Sequence, residues 1–420
     1  MLLTRLNGGF WLLWLSLFIL CYFNSVDDPT SLFYDGSRAY EQRFSLERAN
    51  QARDYLQHLP RKVEQGQTDA KFLCIGVPSI NRTSESFLGY TIATLTDSIS
   101  PKDRARIHLV VLLADKSPEK HFAYSQPWLA HMADEVLLYG DGPSGSNSSV
   151  YRTIDRNVYK EGSGRGTGRV ENMRLDHSVL VERCRKHASP YFALIEDDII
   201  AAPNWFAKLS EGLAYVETQS KKTGKDWLYL RLFYSELLMG WNNEEMLLYA
   251  QNILLVYTVV LLSFLVSMVV KSRLKRRRMA ESIRCSALLL ALILCLWLPA
   301  LVALYIVAGR VSMRRINPFA WSWHPAREMP NFGCCAQGLV FAQRNLEGVE
   351  ALLRQPPYAF AGDQILEDYA RDHSLAKWAL EPSVLQHVGL KQSSAGDARA
   401  EVWNFSFERQ RGTRGSHGAW

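Results

Sequence analysis

Two apolar runs joined by a short basic loop cut this chain in two, and they constrain its fold more than any other feature. Residues 246–270 (MLLYAQNILLVYTVVLLSFLVSMVV) and 285–309 (CSALLLALILCLWLPALVALYIVAG) each exceed the roughly 20 residues that a membrane-crossing helix needs. Between them, KSRLKRRRMAESIR (271–284) carries seven basic residues and one acid. Lys and Arg beside spans are retained on the cytosolic side, so this loop is expected in the cytosol and the flanking segments in the lumen. A third apolar run, FWLLWLSLFILCYF at 10–23, follows Arg5. No clean small-x-small cleavage site follows it, which favours an uncleaved signal anchor over a cleaved signal peptide. The predicted topology places the N-terminus in the cytosol, 25–245 in the lumen, 271–284 in the cytosol and 310–420 in the lumen.

Other marks agree with that topology. N-x-Ser/Thr sequons at Asn81, Asn147 and Asn404 all fall in the expected lumenal segments. Cys21, Cys285 and Cys295 lie in the apolar runs, whereas Cys74, Cys184, Cys334 and Cys335 are lumenal, an even set that suits an oxidising compartment. Their pairing is not readable from spacing. One of Cys334 and Cys335 can pair with Cys184 or Cys74, since adjacent cysteines rarely meet disulfide geometry between themselves. The net charge of +6 resides largely in the hairpin loop and an Arg-rich tail, so it does not indicate a nucleic-acid partner.

The lumenal parts alternate strand and helix patterns. Residues 38–59 carry apolar residues at helical spacing and read as a membrane-proximal stem helix. Short apolar runs at Phe72–Val77, His108–Ala114, Glu135–Tyr139, Tyr191–Ile195, Trp227–Phe233, Gly338–Ala342 and Lys377–Leu380 read as strands. Helical patterns stand at Val170–His187 and near 344–354 and 362–373. Strands alternating with helices predict an α/β fold with a mostly parallel sheet covered on both faces. The predicted organisation is a cytosolic tip and signal anchor (1–26), a stem (27–70), a first catalytic part (71–245), a membrane hairpin (246–309), a second catalytic part (310–394) and a tail (395–420). Residues 140–169, rich in Gly and Ser, read as a long loop, and the tail from Ser393 shows no fold signal.

The chemistry points to YFALIEDDII, where Glu196-Asp197-Asp198 follow an apolar strand. Strand alternation puts Glu196 and Asp198 on one side and Asp197 on the other. Ligands of open parallel sheets gather at the carboxyl ends of strands. Adjacent acids there repel one another unless a cation is bound, and carboxylate oxygens suit Mg²⁺ or Mn²⁺. A solvated acidic turn opening the next helix is the plain alternative.

A strand ending in D-x-D or E-D-D resembles the metal and nucleotide-sugar signature of GT-A glycosyltransferases. LDHSVLVERCRKHASPYFALIEDDI is similar to the helix and strand ahead of E-D-D in Golgi N-acetylhexosaminyltransferases, and EPSVLQHVGLKQSS (Glu381–Ser394) is similar to their C-terminal element. With the inserted hairpin, the Cys334-Cys335 pair and Gly362-Asp363 opening a helix, the chain resembles the post-GPI-attachment-to-proteins family of Golgi transferases. That family adds N-acetylgalactosamine to the glycan of GPI anchors. The resemblance implies a GT-A-like domain split by the hairpin, in the Golgi membrane, with a UDP-sugar donor, Mn²⁺ or Mg²⁺, and a GPI-anchor glycan or GPI-anchored protein as acceptor beside membrane lipid. It assigns Glu196, Asp197 and Asp198 to the donor and metal, with Asp198 as the direct metal ligand. Asp363 becomes the general base, and His387 completes the metal or diphosphate shell unless it is a core histidine bonded to backbone.

Other residues keep two readings. Glu367 and Asp368 are rival bases or a solvated helix face. Trp321 and Trp323 form an interfacial belt or a sugar-stacking surface, and Asn81-Arg82 lies near the nucleotide or in a turn. An N-glycan GlcNAc branching transferase shares the E-D-D and Q-H-V-G elements but is anchored by one span. A non-catalytic lumenal glycan-binding adaptor conflicts with the intact acids, and a channel conflicts with the scarcity of ionisable residues within the spans.

Overall fold

A computed structural model describes residues 2–37, 42–59, 71–81, 86–140, 145–146, 150–155, 168–274, 279–316, 324–329, 336–389 and 404–409. Arg82, Asn147, Trp321, Trp323, Cys334, Cys335 and the end of the C-terminal element (390–394) lie outside them. The chain forms two compact units, Met1–Glu41 with Glu236–Trp321, and Gln42–Ser235 with Ser322–Trp420.

The second unit is built on a ten-stranded mixed sheet. Its strands are β1 (Leu73–Ser79), β2 (Ile107–Leu113), β3 (Glu135–Gly140), β4 (Gly145–Ser146), β5 (Tyr151–Asp155), β6 (Tyr191–Ile195), β8 (Trp227–Arg231), β9 (Ala326–Glu328), β10 (Gly338–Ala342) and β11 (Ala376–Leu380). A separate two-stranded sheet joins β7 (Ile199–Ala201) to β12 (Leu385–His387). The order across the large sheet is β4-β5-β3-β2-β1-β6-β10-β8-β11-β9. The pairs among β5, β3, β2, β1 and β6 are parallel, as is β8 with β11. β10 runs antiparallel between β6 and β8. The expected mixed α/β fold with a mostly parallel sheet is what the chain adopts.

Alternation along β1 shows how the faces are covered. Leu73, Ile75 and Val77 join the main core with Leu88, Ile92, Trp205 and Leu209 of the helices Leu88–Thr96 and Trp205–Thr223. Cys74 and Gly76 turn to the opposite face, against helix Gly168–Lys186. There Cys74 bonds Cys184, and a Cβ on Gly76 would meet Leu180 Cβ at 3.0 Å. The Cys74–Cys184 disulfide resolves the pairing that spacing left open, and neither cysteine uses Cys334 or Cys335. It joins residues 110 apart; on chain-entropy grounds a loop near that size contributes about 4–5 kcal/mol.

The stem helix expected within 38–59 forms as Arg43–Gln57, with Phe44, Arg48 and Ala52 buried, whereas two other sequence expectations need correction. Arg48 donates to Ala201 O at 3.1 Å and meets both Asp97 oxygens at 2.9 Å, the bidentate geometry that makes such pairs strong. The 140–169 loop contains β4 and β5, with β5 extending the sheet beside β3; its polar edge residues hid the strand pattern. The tail contributes Phe405–Glu408, whose Phe407 ring packs at a tilt against Phe44, centroids 5.3 Å apart; four residues are too few to show a helical period.

The first unit holds three helices long and apolar enough to cross a membrane, at Leu3–Asn24, Met246–Val270 and Ser286–Val307. The third contains a π-helical stretch, Ile293–Trp297, just before Pro299; proline lacks the N–H that a regular turn would use, and the wider turn accommodates it. The N-terminal helix packs there. Trp297 Nε1 donates to Asn7 Oδ1 at 2.9 Å, Phe10 stacks on Trp297 at 4.9 Å, and Trp14 Nε1 donates to Ala300 O at 3.0 Å. Where the first and third helices end, Asp28 accepts the backbone N–H groups of Thr30 (2.8 Å) and Ser312 (2.6 Å). Gly309 passes this carboxylate at φ 91°, and a Cβ there would lie 2.7 Å from Asp28 Oδ2; only glycine fits both the conformation and the space.

Candidate active site

β6 is apolar and buried until Ile195. The chain then leaves the sheet at Glu196, turns through Asp197-Asp198 and enters β7. β12 pairs with β7 so that His387 faces Ile199, and Val388 N–H donates to Asp198 O at 2.9 Å. A strand from the far side of the membrane hairpin thereby lays His387 Nε2 3.3 Å from Asp198 Oδ2. Glu196, Asp198 and His387 each offer one ligand atom within 4.8 Å of the others. Gly389 makes the approach possible, since a Cβ there would stand 2.4 Å from Asp198 Oδ2 and 3.2 Å from His387 Nε2.

This arrangement is charged against itself. Burial pushes the Glu196 carboxyl well above its ordinary range, Asp198 adds to the rise, His387 opposes it, and Asp197 and Asp363 add the remainder. Such a group is neutralised by a proton or by a cation. Two carboxylates and an imidazole suit a hard or borderline divalent ion.

Asp197 points elsewhere, to a buried relay. Its Oδ2 accepts the Ser79 hydroxyl at 2.6 Å, and Ser79 Oγ lies 3.2 Å from His121 Nε2. His121 Nδ1 accepts Ala123 N–H at 3.1 Å, so the neutral ring carries its proton on Nε2 and donates to Ser79. Burial pushes His121 down to about 4, which keeps it neutral near pH 7. Thr91 Oγ1 braces the same turn, 2.8 Å from Asp197 O and 2.9 Å from Ile199 O.

Asp363 is the second residue of helix Gly362–Asp372, where its Oδ1 accepts Gln364 N–H at 2.9 Å. Asp363 is one of the neighbours that raise Glu196 and His177. His177 is pushed down to about 4 by burial, with Asp363 opposing. A Cβ on Gly362 would lie 3.6 Å from His177 Nδ1.

The rivals of Asp363 separate clearly. Glu367 is neither a solvated face nor an available base: it accepts from Arg231 at 2.7 Å, from Tyr229 OH and from Lys377 Nζ, all three donors being buried. Asp368 is half-buried and pairs with Arg371 at 2.8 Å. Asn81 serves a turn, its N–H donating to Asp115 Oδ2 at 3.0 Å and its side chain to Lys120 O at 3.1 Å. Sequence reasoning missed Ser79, Asp115, His121, His177 and Gly389. Asp115 was findable, because it follows an apolar strand as Glu196 does; a histidine inside a helix pattern carries no such signal.

A strand-end acid cluster met by a histidine from a distant strand stands on a mostly parallel sheet, in a chain with three helices long and apolar enough to cross a membrane. The model of the family described as GPI-N-acetylgalactosamine transferase PGAP4 matches residues 73–386, and the chain belongs to that family. It is also similar to alpha-1,3-mannosyl-glycoprotein 4-beta-N-acetylglucosaminyltransferase B of Danio rerio, at 28% identity over 35% of this chain and 27% of the relative. The Mus musculus enzyme of the same description is 26% identical over 40% of this chain and 30% of the relative. The chain thus spans about three-tenths of these curated relatives.

Proposed function

We propose that this protein transfers N-acetylgalactosamine from a UDP-sugar to the glycan of a GPI anchor, as a multi-pass Golgi enzyme with its GT-A-like domain in the lumen. The observation that carries the reading is the convergence of Glu196, Asp198 and His387 at the end of β6, within the segment that matches the family. These three residues would hold Mn²⁺ or Mg²⁺, with Asp197 setting the turn through Ser79. When bound, such an ion neutralises charge developing on a departing diphosphate. Asp363 accepts the proton of the acceptor hydroxyl as that oxygen attacks the anomeric carbon. Glu367, held by Arg231 and Lys377, fixes the next turn of the Asp363 helix to β8 and β11.

A donor screen with the purified full-length protein, followed by mass spectrometry of GPI glycans after gene deletion, tests this. Turnover of UDP-N-acetylgalactosamine and loss of that sugar from the anchors are expected, and Asp198→Ala abolishes Mn²⁺-dependent UDP binding. Transfer of N-acetylglucosamine to N-glycans instead would move the function to the activity named for the relatives.

A further inference from the structure

A second convergence of metal-ligating side chains lies toward the amino ends of the parallel strands, away from Glu196. His108 is the second residue of β2, Glu135 opens β3, and His187 follows helix Gly168–Lys186. The Nε2 atoms of both histidines lie 3.7 Å from the same oxygen, Glu135 Oε2, and their rings are 3.8 Å apart. That separation is too long for a hydrogen bond. Both Nε2 atoms are buried, and neither has a hydrogen-bond partner among the described residues. Buried polar atoms in this state call for a bound water or ion. Ligands of a tetrahedral zinc, each roughly 2.0–2.2 Å from the metal, stand about 3.4 Å apart, close to the spacing seen here. One ligand atom from each of the three residues lies within 4.8 Å of the others.

The scaffold holds this geometry by itself. His108 and Glu135 stand on adjacent parallel strands. Cys74 faces His108 across β1 and β2, and its disulfide to Cys184 fixes the end of the helix that leads to His187. Two cations share the Glu135 carboxylate, Arg183 at 2.7 Å from Oε2 and Arg152 on Oε1. They oppose a divalent ion, and both reach solvent, their side chains 27% and 46% exposed, where water weakens the repulsion.

We propose that His108, Glu135 and His187 form a second cation site, for zinc or a metal of similar borderline softness, that ties helix Gly168–Lys186 to the sheet. The ligand set of two imidazoles and one carboxylate favours such an ion over Mg²⁺ or Ca²⁺. The site is independent of the proposed donor site, so the two readings stand or fall separately.

The test is zinc binding to the purified full-length protein by calorimetry, with Co²⁺ as a spectroscopic probe. His108→Ala and, as a milder change at a partly exposed position, His187→Gln should each remove one metal equivalent per chain and the zinc-dependent rise in Tm. His58→Ala, at an exposed histidine, should change neither. Arg152→Ala removes an opposing charge and should tighten zinc binding several-fold. Equal zinc stoichiometry in wild type, His108→Ala and His187→Gln would overturn the proposal, as would Arg152→Ala that leaves zinc affinity unchanged or weakened; either result assigns the cluster to an ion-pair network or a bound water.

Discussion

Gly389→Ala is the sharpest probe of the proposed donor site, because it adds one carbon and no charge. The new Cβ would stand 2.4 Å from Asp198 Oδ2, 3.0 Å from Asp198 Cγ and 3.2 Å from His387 Nε2. Non-bonded heavy atoms settle at roughly 3.5 Å, so the Asp198 carboxylate or the backbone of β12 must give by about 1 Å. A displacement of about 1 Å in a catalytic constellation costs on the order of 10²-fold in rate, or about 2.7 kcal/mol. The assay is Mn²⁺ affinity by calorimetry in the presence of UDP, together with transfer rate at saturating donor. Thermal unfolding separates this loss from misfolding. Gly362→Ala is the matched control: its Cβ meets atoms no nearer than 3.5 Å, so its activity should stay near normal. Wild-type metal affinity in Gly389→Ala would refute the placement of the ion between Asp198 and His387.

Asp363→Asn should retain donor and Mn²⁺ affinity while transfer falls by about 10²–10⁴-fold, as for a lost general base; near-normal transfer measured with purified acceptor would exclude it from that role. Asp176 is pushed from the ordinary 3.8 up to about 7 by burial, with the Tyr139 hydroxyl at 2.7 Å opposing and Asp115 adding. The native state then keeps a proton that the unfolded chain releases, so stability falls as pH rises from about 4 to about 7, by roughly 4 kcal/mol. Asp176→Asn should flatten that slope in denaturant titrations across the range; an unchanged slope would reject the assignment. A glycosylation acceptor inserted near Arg276 should stay unmodified in a mobility-shift assay. Asn404 should stay unmodified too, because it is buried with its amide donating to Tyr234 O at 3.0 Å and Ser383 Oγ at 3.1 Å; a glycan on either would break the topology or the packing described.

The central strands of the sheet were legible because they are buried. Tyr191–Ile195 and Gly338–Ala342 appear in the structure with the bounds that the sequence suggested, since a run apolar on both faces needs no partner information to be recognised. β5 was not, because a partly exposed strand mixes Arg152 and Asp155 into its pattern. At the candidate site, period-two alternation alone separated Glu196 and Asp198 from Asp197. What stayed hidden depends on long-range register. The contact of His387 with Asp198 comes from the pairing of β12 with β7. The locking of Glu367 comes from Arg231 and Lys377, on two other strands. Neither spacing is local, and residue type alone left Glu367 looking like surface.

The position of β10 sets an order of assembly. This strand fills the gap between β6 and β8, yet it is synthesised only after both apolar hairpin helices. Until it arrives, the facing edges of β6 and β8 expose unpaired backbone donors and acceptors in the middle of the sheet. Completion of the sheet therefore waits on a segment that follows two helices long and apolar enough to cross a membrane, and a chain that fails to deliver β10 keeps open strand edges at its centre.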